Sequence, residues 1–349
     1  MGRRQTLLGA VLAICLALAC SACAPLRDEP APMDGPLSVA RQGSFFIGGR
    51  DLRSDTLSTL PNAPAAGTVV VEQMYVQYQV PPAAKRHPLV LVHGCCLTGA
   101  SWESTPDGRM GWAEYFVRRG YPAYVVDQVA RGRSAADASS IGGVKLGRLP
   151  AAQLPAGFAV GREFAWTLFR FGPRYPEAFE GQQYPLEARQ GLWKQMVPDW
   201  AYSMPAPNPT VPALGELAAS LGGAVLLSHS QSGIYPFQAL KRDPRGIAGI
   251  VAVEPTACPS ADEDLAPYAG VPVLLLWGDH VDDSPFWGPR LQACQAFARA
   301  LGKIGGRVAL VRTTEHGLHG NSHMLMQDRN SLQVAALVVD WLDRELARR

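Results

Sequence analysis

Charge is scarce in this chain, and what there is cancels. Asp, Glu, Lys and Arg make up 18% of 349 residues, and 32 basic against 30 acidic side chains leave a formal net charge of +2. Because those charges are scattered, nothing favours nucleic acid or an anionic membrane surface as a partner. Beyond the N-terminal leader no apolar run approaches the ~20 residues that a membrane-spanning helix needs. The sequence also lacks a Gly-rich phosphate loop and a cluster of metal ligands, so no cofactor and no metal is expected. It has no internal repeat and no long low-complexity run. What it does have is apolar residues, at 47%, enough to bury a sizeable core. That excludes a disordered, collagen-like or coiled-coil chain, and the length suits one large domain or two small ones.

Arg3-Arg4, the apolar run from Leu7 to Ala19 and the small residues through Ala24 match a secretory signal peptide over residues 1–24. Ala22-Cys23-Ala24 supplies a cleavage site of the A-x-A kind. Leu18-Ala19-Cys20 resembles a lipoprotein box with its leucine one place too close to the cysteine, so a lipid anchor stays an alternative to a free periplasmic or secreted protein. Export would put the mature thiols in an oxidising space. Seven cysteines less Cys15, Cys20 and Cys23 leave four: Cys95, Cys96, Cys258 and Cys294.

Residues 25–67 are rich in Pro, Gly and Ala and read as a tether with surface strand additions. From Thr68 the chain alternates strand-like and helix-like runs. Thr68–Val80 alternates as an exposed antiparallel hairpin would. Leu89–Val92, Tyr121–Val126, Ala224–Leu227, Ile247–Val253, Val271–Trp277 and Val308–Val311 read as buried strands. Helical runs separate them, ending in one on which Leu332, Ala335, Val339, Leu342 and Leu346 share a face, with Asp328 at its start. Buried strands alternating with helices imply an α/β fold, a mostly parallel sheet covered on both faces. The stretch from about 135 to 209 breaks the alternation. Residues 150–204 hold 11 of the 29 aromatics, so this stretch reads as a cap insertion whose aromatics form its own core, line a pocket, or do both.

Leu226-Leu227-Ser228-His229-Ser230-Gln231-Ser232-Gly233 joins a buried strand to a helix with a serine flanked two places away by small residues. That is the pattern of a nucleophile elbow, in which a strained turn exposes the serine and small neighbours let strand and helix approach. Upstream, Leu89–Val92 ends in His93-Gly94-Cys95-Cys96, where such folds supply an oxyanion-hole amide; the second would come from Gln231, after the serine. Of seven histidines, His316, His319 and His323 lie in the loop after Val308–Val311, and His323, just ahead of the closing helix, is the favoured base, with His319 next. His87 precedes a proline, His93 and His229 belong to the strand and elbow, and His280 comes too early. Two acids compete: Glu254 after Ile247–Val253, and Asp279 after Val271–Trp277, the later strand that most hydrolases with such an elbow use.

Three long motifs add to this. His93-Gly94-Cys95-Cys96-Leu97-Thr98-Gly99, Thr105-Pro106-Asp107-Gly108-Arg109-Met110-Gly111-Trp112, and Gly320-Asn321-Ser322-His323 with Met326-Gln327-Asp328-Arg329-Asn330, taken with the elbow, resemble the bacterial esterase 713-like group of the α/β-hydrolase superfamily over roughly residues 40–345. The resemblance implies Ser230 as nucleophile, His323 as base and Glu254 rather than Asp279 as acid. It also favours a disulfide between the adjacent Cys95 and Cys96, which would lock the oxyanion strand. Cys258 and Cys294 form the second candidate bridge. The expected function is that of an exported serine carboxylesterase acting on a small-molecule ester through an acyl-enzyme. A peptidase, amidase or acyltransferase on the same triad is the alternative, and a catalytically inactive binding module a remote one. The chain does not say whether it acts as a monomer or a dimer.

Overall fold

Eight strands make one sheet in the order β1-β2-β4-β3-β5-β6-β7-β8: β1 (Arg41–Ser54), β2 (Gly67–Val80), β3 (Leu89–Val92), β4 (Ala123–Asp127), β5 (Ala224–His229), β6 (Ile247–Val253), β7 (Val273–Trp277) and β8 (Val308–Arg312). The computed structural model describes residues 33, 35–201 and 204–347; the leader expected at 1–24 lies outside them. Residues from Leu37 onward form one compact unit. β1, β2 and β4 pair antiparallel, whereas β3 to β8 run parallel. Burial follows the composition of each strand. β3, β5, β6 and β7 are buried at every position and are correspondingly rich in Val, Leu and Ile. β2, with its alternating pattern, is only half covered.

The strand β1 lies in the segment read as tether and surface additions. Thirteen of its 14 residues, all but Gly49, pair along the outer edge of β2. Most of it is exposed, so the periodic apolar signal that a buried strand leaves is missing. Its apolar contact with the core comes from buried Ile47 and part-buried Phe45. Helices Thr210–Ser220 and Tyr235–Arg242 cover one another and the sheet, and helices Trp287–Lys303 and Ser331–Leu346 close the C-terminal part. Between 135 and 209 the described residues form the short helices Ser139–Lys145, Arg162–Leu168 and Arg189–Gln195, with isolated bridges such as Phe158 to Asp199.

The helix after the elbow starts at Tyr235, because Ser230–Ile234 first makes a tighter 3-10 turn. One local reading needs correction. Asp328 does not cap the closing helix. That helix starts at Ser331 after Asn330, and Asp328 is buried in the loop before it.

Candidate active site

β5 ends at His229, and Ser230 follows with φ +57°, a left-handed conformation that a serine rarely holds. The turn is held from beside it. Ser232 Oγ accepts the His229 N–H at 3.1 Å and lies 3.1 Å from the Val92 carbonyl on β3. Chain crossing is so tight here that a Cβ on Gly94 would stand 2.8 Å from Ser230 Cβ and 2.9 Å from His229 Nδ1. A Cβ on Gly233, just after the elbow, would likewise stand 2.4 Å from Pro255 Cβ, so both glycines are a packing requirement.

Glu254 follows β6, is fully buried, and points both oxygens at donors. Its Oε2 lies 3.1 Å from His323 Nδ1 and accepts from Arg170 at 2.7 Å, while Oε1 accepts from Arg170 at 2.6 Å and from the Gly278 N–H at 2.6 Å. Burial alone would raise its pKa, but the Arg170 charge and then His323 hold it down at about 2. The imidazole of His323 sits among aromatic rings, with centroids of Trp287 at 4.0 Å and of His229 at 4.5 Å. Burial, only partly offset by Glu254, draws its pKa down to about 4. Its other nitrogen, Nε2, is buried and has no partner, so the link from base to Ser230 is not closed in this conformation. Such contacts commonly tighten only with substrate in place.

The competing pair lies at the surface. Asp279 spends its oxygens on the N–H groups of Gly320 (2.9 Å) and His280 (2.8 Å), and exposed His319 stands 3.9 Å away. The structure thus brings Glu254 and His323 together in the interior and leaves Asp279 with His319 at the rim. His280 stacks on Phe179, and His229 Nε2 lies 2.9 Å from the His323 carbonyl. His93 is satisfied locally, by the Gly94 carbonyl and by the Gln128 N–H.

The loop bearing His323 is itself pinned. Asp328 accepts from Ser322 N–H at 2.9 Å, Ser322 Oγ at 2.6 Å and Asn321 Nδ2 at 3.0 Å. Arg109 in turn grips the carbonyls of Gln327 and Asp328, both at 2.9 Å. The Thr105–Trp112 and Met326–Asn330 motifs are thus two sides of one contact that fixes the histidine.

Cys95, Ser230 and Gln231 line one cavity of about 600 Å³, within the range of small-molecule sites. The aromatics of residues 150–204 divide between both readings. Phe158 and Phe164 line the cavity, whereas Trp166, Phe171 and Tyr184 are buried in their own cluster. Two residues of that stretch carry roles that sequence reasoning missed. Arg170 clamps Glu254. Asp199 is ion-paired with buried Arg131 and accepts Gln231 Nε2 at 2.8 Å, while Arg131 reaches Gln231 Oε1 at 2.9 Å and the Gly94 carbonyl at 3.1 Å. Together they hold both proposed oxyanion-hole segments. A charged residue in an aromatic-rich stretch leaves no periodic mark that could have disclosed either.

Cys258 and Cys294 are bridged, with Cα atoms 5.2 Å apart. Cys95 and Cys96 are not joined in this structure, and their sulfurs lie 2.6 Å apart. These two sulfurs and an Asp199 oxygen lie within 4.8 Å of one another, the arrangement among the described residues nearest to a metal site. It is a poor one. Asp199 is already paired, and Cys96 together with burial pushes the Cys95 thiol far above its ordinary range, against the thiolate that a metal needs.

The chain is 58% identical to a bacterial esterase solved at atomic resolution, with a TM-score of 0.89 over 91% of this chain and 99% of that one. It is 27% identical over 338 residues to a fungal protein named "Probable secreted lipase phiG", covering 80% of this chain and 86% of that protein. No family model matches. With its mostly parallel sheet, its strained serine elbow and this degree of likeness, the chain belongs to a family of bacterial esterases, carboxylic ester hydrolases built on the α/β-hydrolase fold.

Proposed function

We propose that the protein is an exported serine carboxylesterase with Ser230 as nucleophile, His323 as general base and Glu254 as the acid. The observation that carries this reading is the buried Glu254–His323 contact of 3.1 Å, which leaves His323 Nε2 as the unpartnered nitrogen beside a cavity lined by a strained serine. Glu254, bonded to Nδ1, fixes the tautomer in which Nε2 is free to accept a proton. His323 takes the Ser230 proton as Oγ attacks the ester carbonyl. The negative oxygen of the tetrahedral intermediate is met by the N–H groups of Cys95 and Gln231. His323 then protonates the departing alkoxide, and water, activated in the same way, hydrolyses the acyl-enzyme.

Glu254 stabilises the imidazolium formed in each half-reaction, and Arg170 keeps that carboxylate ionised. Leu168 and Phe286 give the cavity an apolar lining that suits a hydrophobic acyl or alcohol group. Export rests on the leader read from residues 1–24 and is in keeping with the name of the fungal relative. In an oxidising compartment, thiol sulfurs 2.6 Å apart also favour closing the Cys95–Cys96 bridge.

A fluorophosphonate probe tests the mechanism. The folded protein should be labelled at Ser230, and Ser230→Ala should lose both labelling and at least about 10⁴-fold in kcat. A folded protein that hydrolyses esters but labels elsewhere would remove Ser230 from the mechanism. Fractionation of cells expressing the full chain tests export: a protein retained in the cytoplasm with its leader intact would refute it.

A further inference from the structure

Three arginines lie at or beside the cavity, and they are treated differently by the fold. Arg131 and Arg170 are buried and each is paired with a carboxylate, Asp199 and Glu254. Arg290 lines the cavity and is paired with none among the described residues. Its NH1 donates to the Phe286 carbonyl at 2.6 Å, its guanidinium lies 3.5 Å from the centroid of the Phe286 ring, and its Nε is buried without a partner. Neither Asp nor Glu is found among the residues lining the cavity. Burial accordingly lowers the Arg290 pKa with no opposing charge to offset it. Arg290 also sits in the first turn of the 17-residue helix Trp287–Lys303, whose opening residues line the same cavity. That end carries the positive end of the helix dipole, so the cation and the dipole reinforce one another where a basic residue is otherwise unfavourable.

A half-buried cation facing an apolar cavity without a counter-ion is an anion site awaiting the anion from its ligand. Resting on the reading of the cavity as the ester site, we propose that Arg290 selects esters bearing a carboxylate: half-esters of dicarboxylic acids, or esters of hydroxy acids. The ester group faces Ser230 and the free carboxylate pairs with the guanidinium. Phe286 holds the guanidinium by stacking, which leaves its NH2 edge for a carboxylate oxygen.

Binding can be read without turnover in Ser230→Ala. Calorimetric titration with monomethyl glutarate, which puts the carboxylate in the acyl part, is compared with dimethyl glutarate. Titration with 4-acetoxybutyrate, which puts it in the alcohol part, is compared with that acid's methyl ester. At least one anionic member should bind ten- to a hundredfold more tightly than its neutral partner, the range expected of a charge-assisted hydrogen bond. The pair that shows the preference tells which side of the ester carries the charge. Ser230→Ala/Arg290→Gln should lose the preference, and Ser230→Ala/Arg290→Lys should keep much of it. With Ser230 present, the ratio of kcat/KM between the same two esters should fall by the same factor in Arg290→Gln. Equal affinity for both members of both pairs, or a preference that survives Arg290→Gln, overturns the inference and leaves Arg290 as a cover for Phe286. Failure of the proposed mechanism would appear separately, as absence of fluorophosphonate labelling, and the titrations would still decide the role of Arg290.

Discussion

Replacing Arg170 by Gln should move the acid limit of catalysis. Arg170 donates to Glu254 Oε2 at 2.7 Å, and that same oxygen lies 3.1 Å from His323 Nδ1. Laid end to end, the two contacts put the cation within roughly 6 Å of the imidazole, where a unit charge in a medium of effective dielectric ~20 is worth about 3 kcal/mol, or about two pKa units. The cation opposes protonation of His323, whose pKa of about 4 is set first by burial, with Glu254 acting in the other direction. The base must be neutral to accept the serine proton. Activity is therefore lost as pH falls through its pKa, and wild type should keep its kcat/KM down to about pH 4. Without the cation His323 protonates more readily and Glu254 less readily stays ionised, and both effects lose activity from the acid side at higher pH. In Arg170→Gln the acid limb of the kcat/KM profile should thus lie about one to two units above that of wild type. Breaking one side of a buried pair also costs about 3–5 kcal/mol of stability, so the profile is taken on protein shown by circular dichroism to be folded. Arg170→Lys, which keeps the charge without the bidentate geometry, should restore most of the shift. A folded Arg170→Gln enzyme with the wild-type acid limb would refute the electrostatic role and leave Arg170 as a purely structural clamp.

Glu254→Gln should lower kcat by about 10³–10⁴-fold, the scale seen when a triad acid can no longer fix the tautomer, whereas Asp279→Ala should stay within about tenfold of wild type; the reverse order would move the acid to the later strand. Cys258→Ser/Cys294→Ser opens a bridge spanning 36 residues and should cost about 4 kcal/mol by loop-closure entropy, read as a lower midpoint in urea; an unchanged midpoint would mean the denatured chain gains nothing from release. Intact mass of protein purified from the periplasm and alkylated without reduction should show no added label at any of the four mature cysteines, and labelling of Cys95 and Cys96 alone would leave that pair as thiols.

What the sequence disclosed follows from which signals are local. β3, β5, β6 and β7 declare themselves because strands buried on both faces are unbroken apolar runs. β1 is missed because an edge strand with one buried residue carries no such run. The elbow is legible because its strain demands small residues at fixed spacing, a demand met within eight positions. The acid is different. Both Glu254 and Asp279 end a buried strand beside the same loop, and nothing in either neighbourhood ranks them. What separates them in space is Arg170, 84 residues before Glu254, and a Gly278 N–H turned toward its carboxylate. A carboxylate with no water to receive it stays ionised only if the fold supplies donors, and Glu254 has them while Asp279 is spent on the rim. Whether a buried carboxylate can stay ionised is thus a property of its donors, which the chain collects from distant segments, and the clamp belongs to the stretch read as a cap, whose aromatic composition conceals it. The same reasoning applies to Arg290 in reverse: a cation for which the fold has collected no carboxylate among the described residues is the place to look for a partner carried by the ligand.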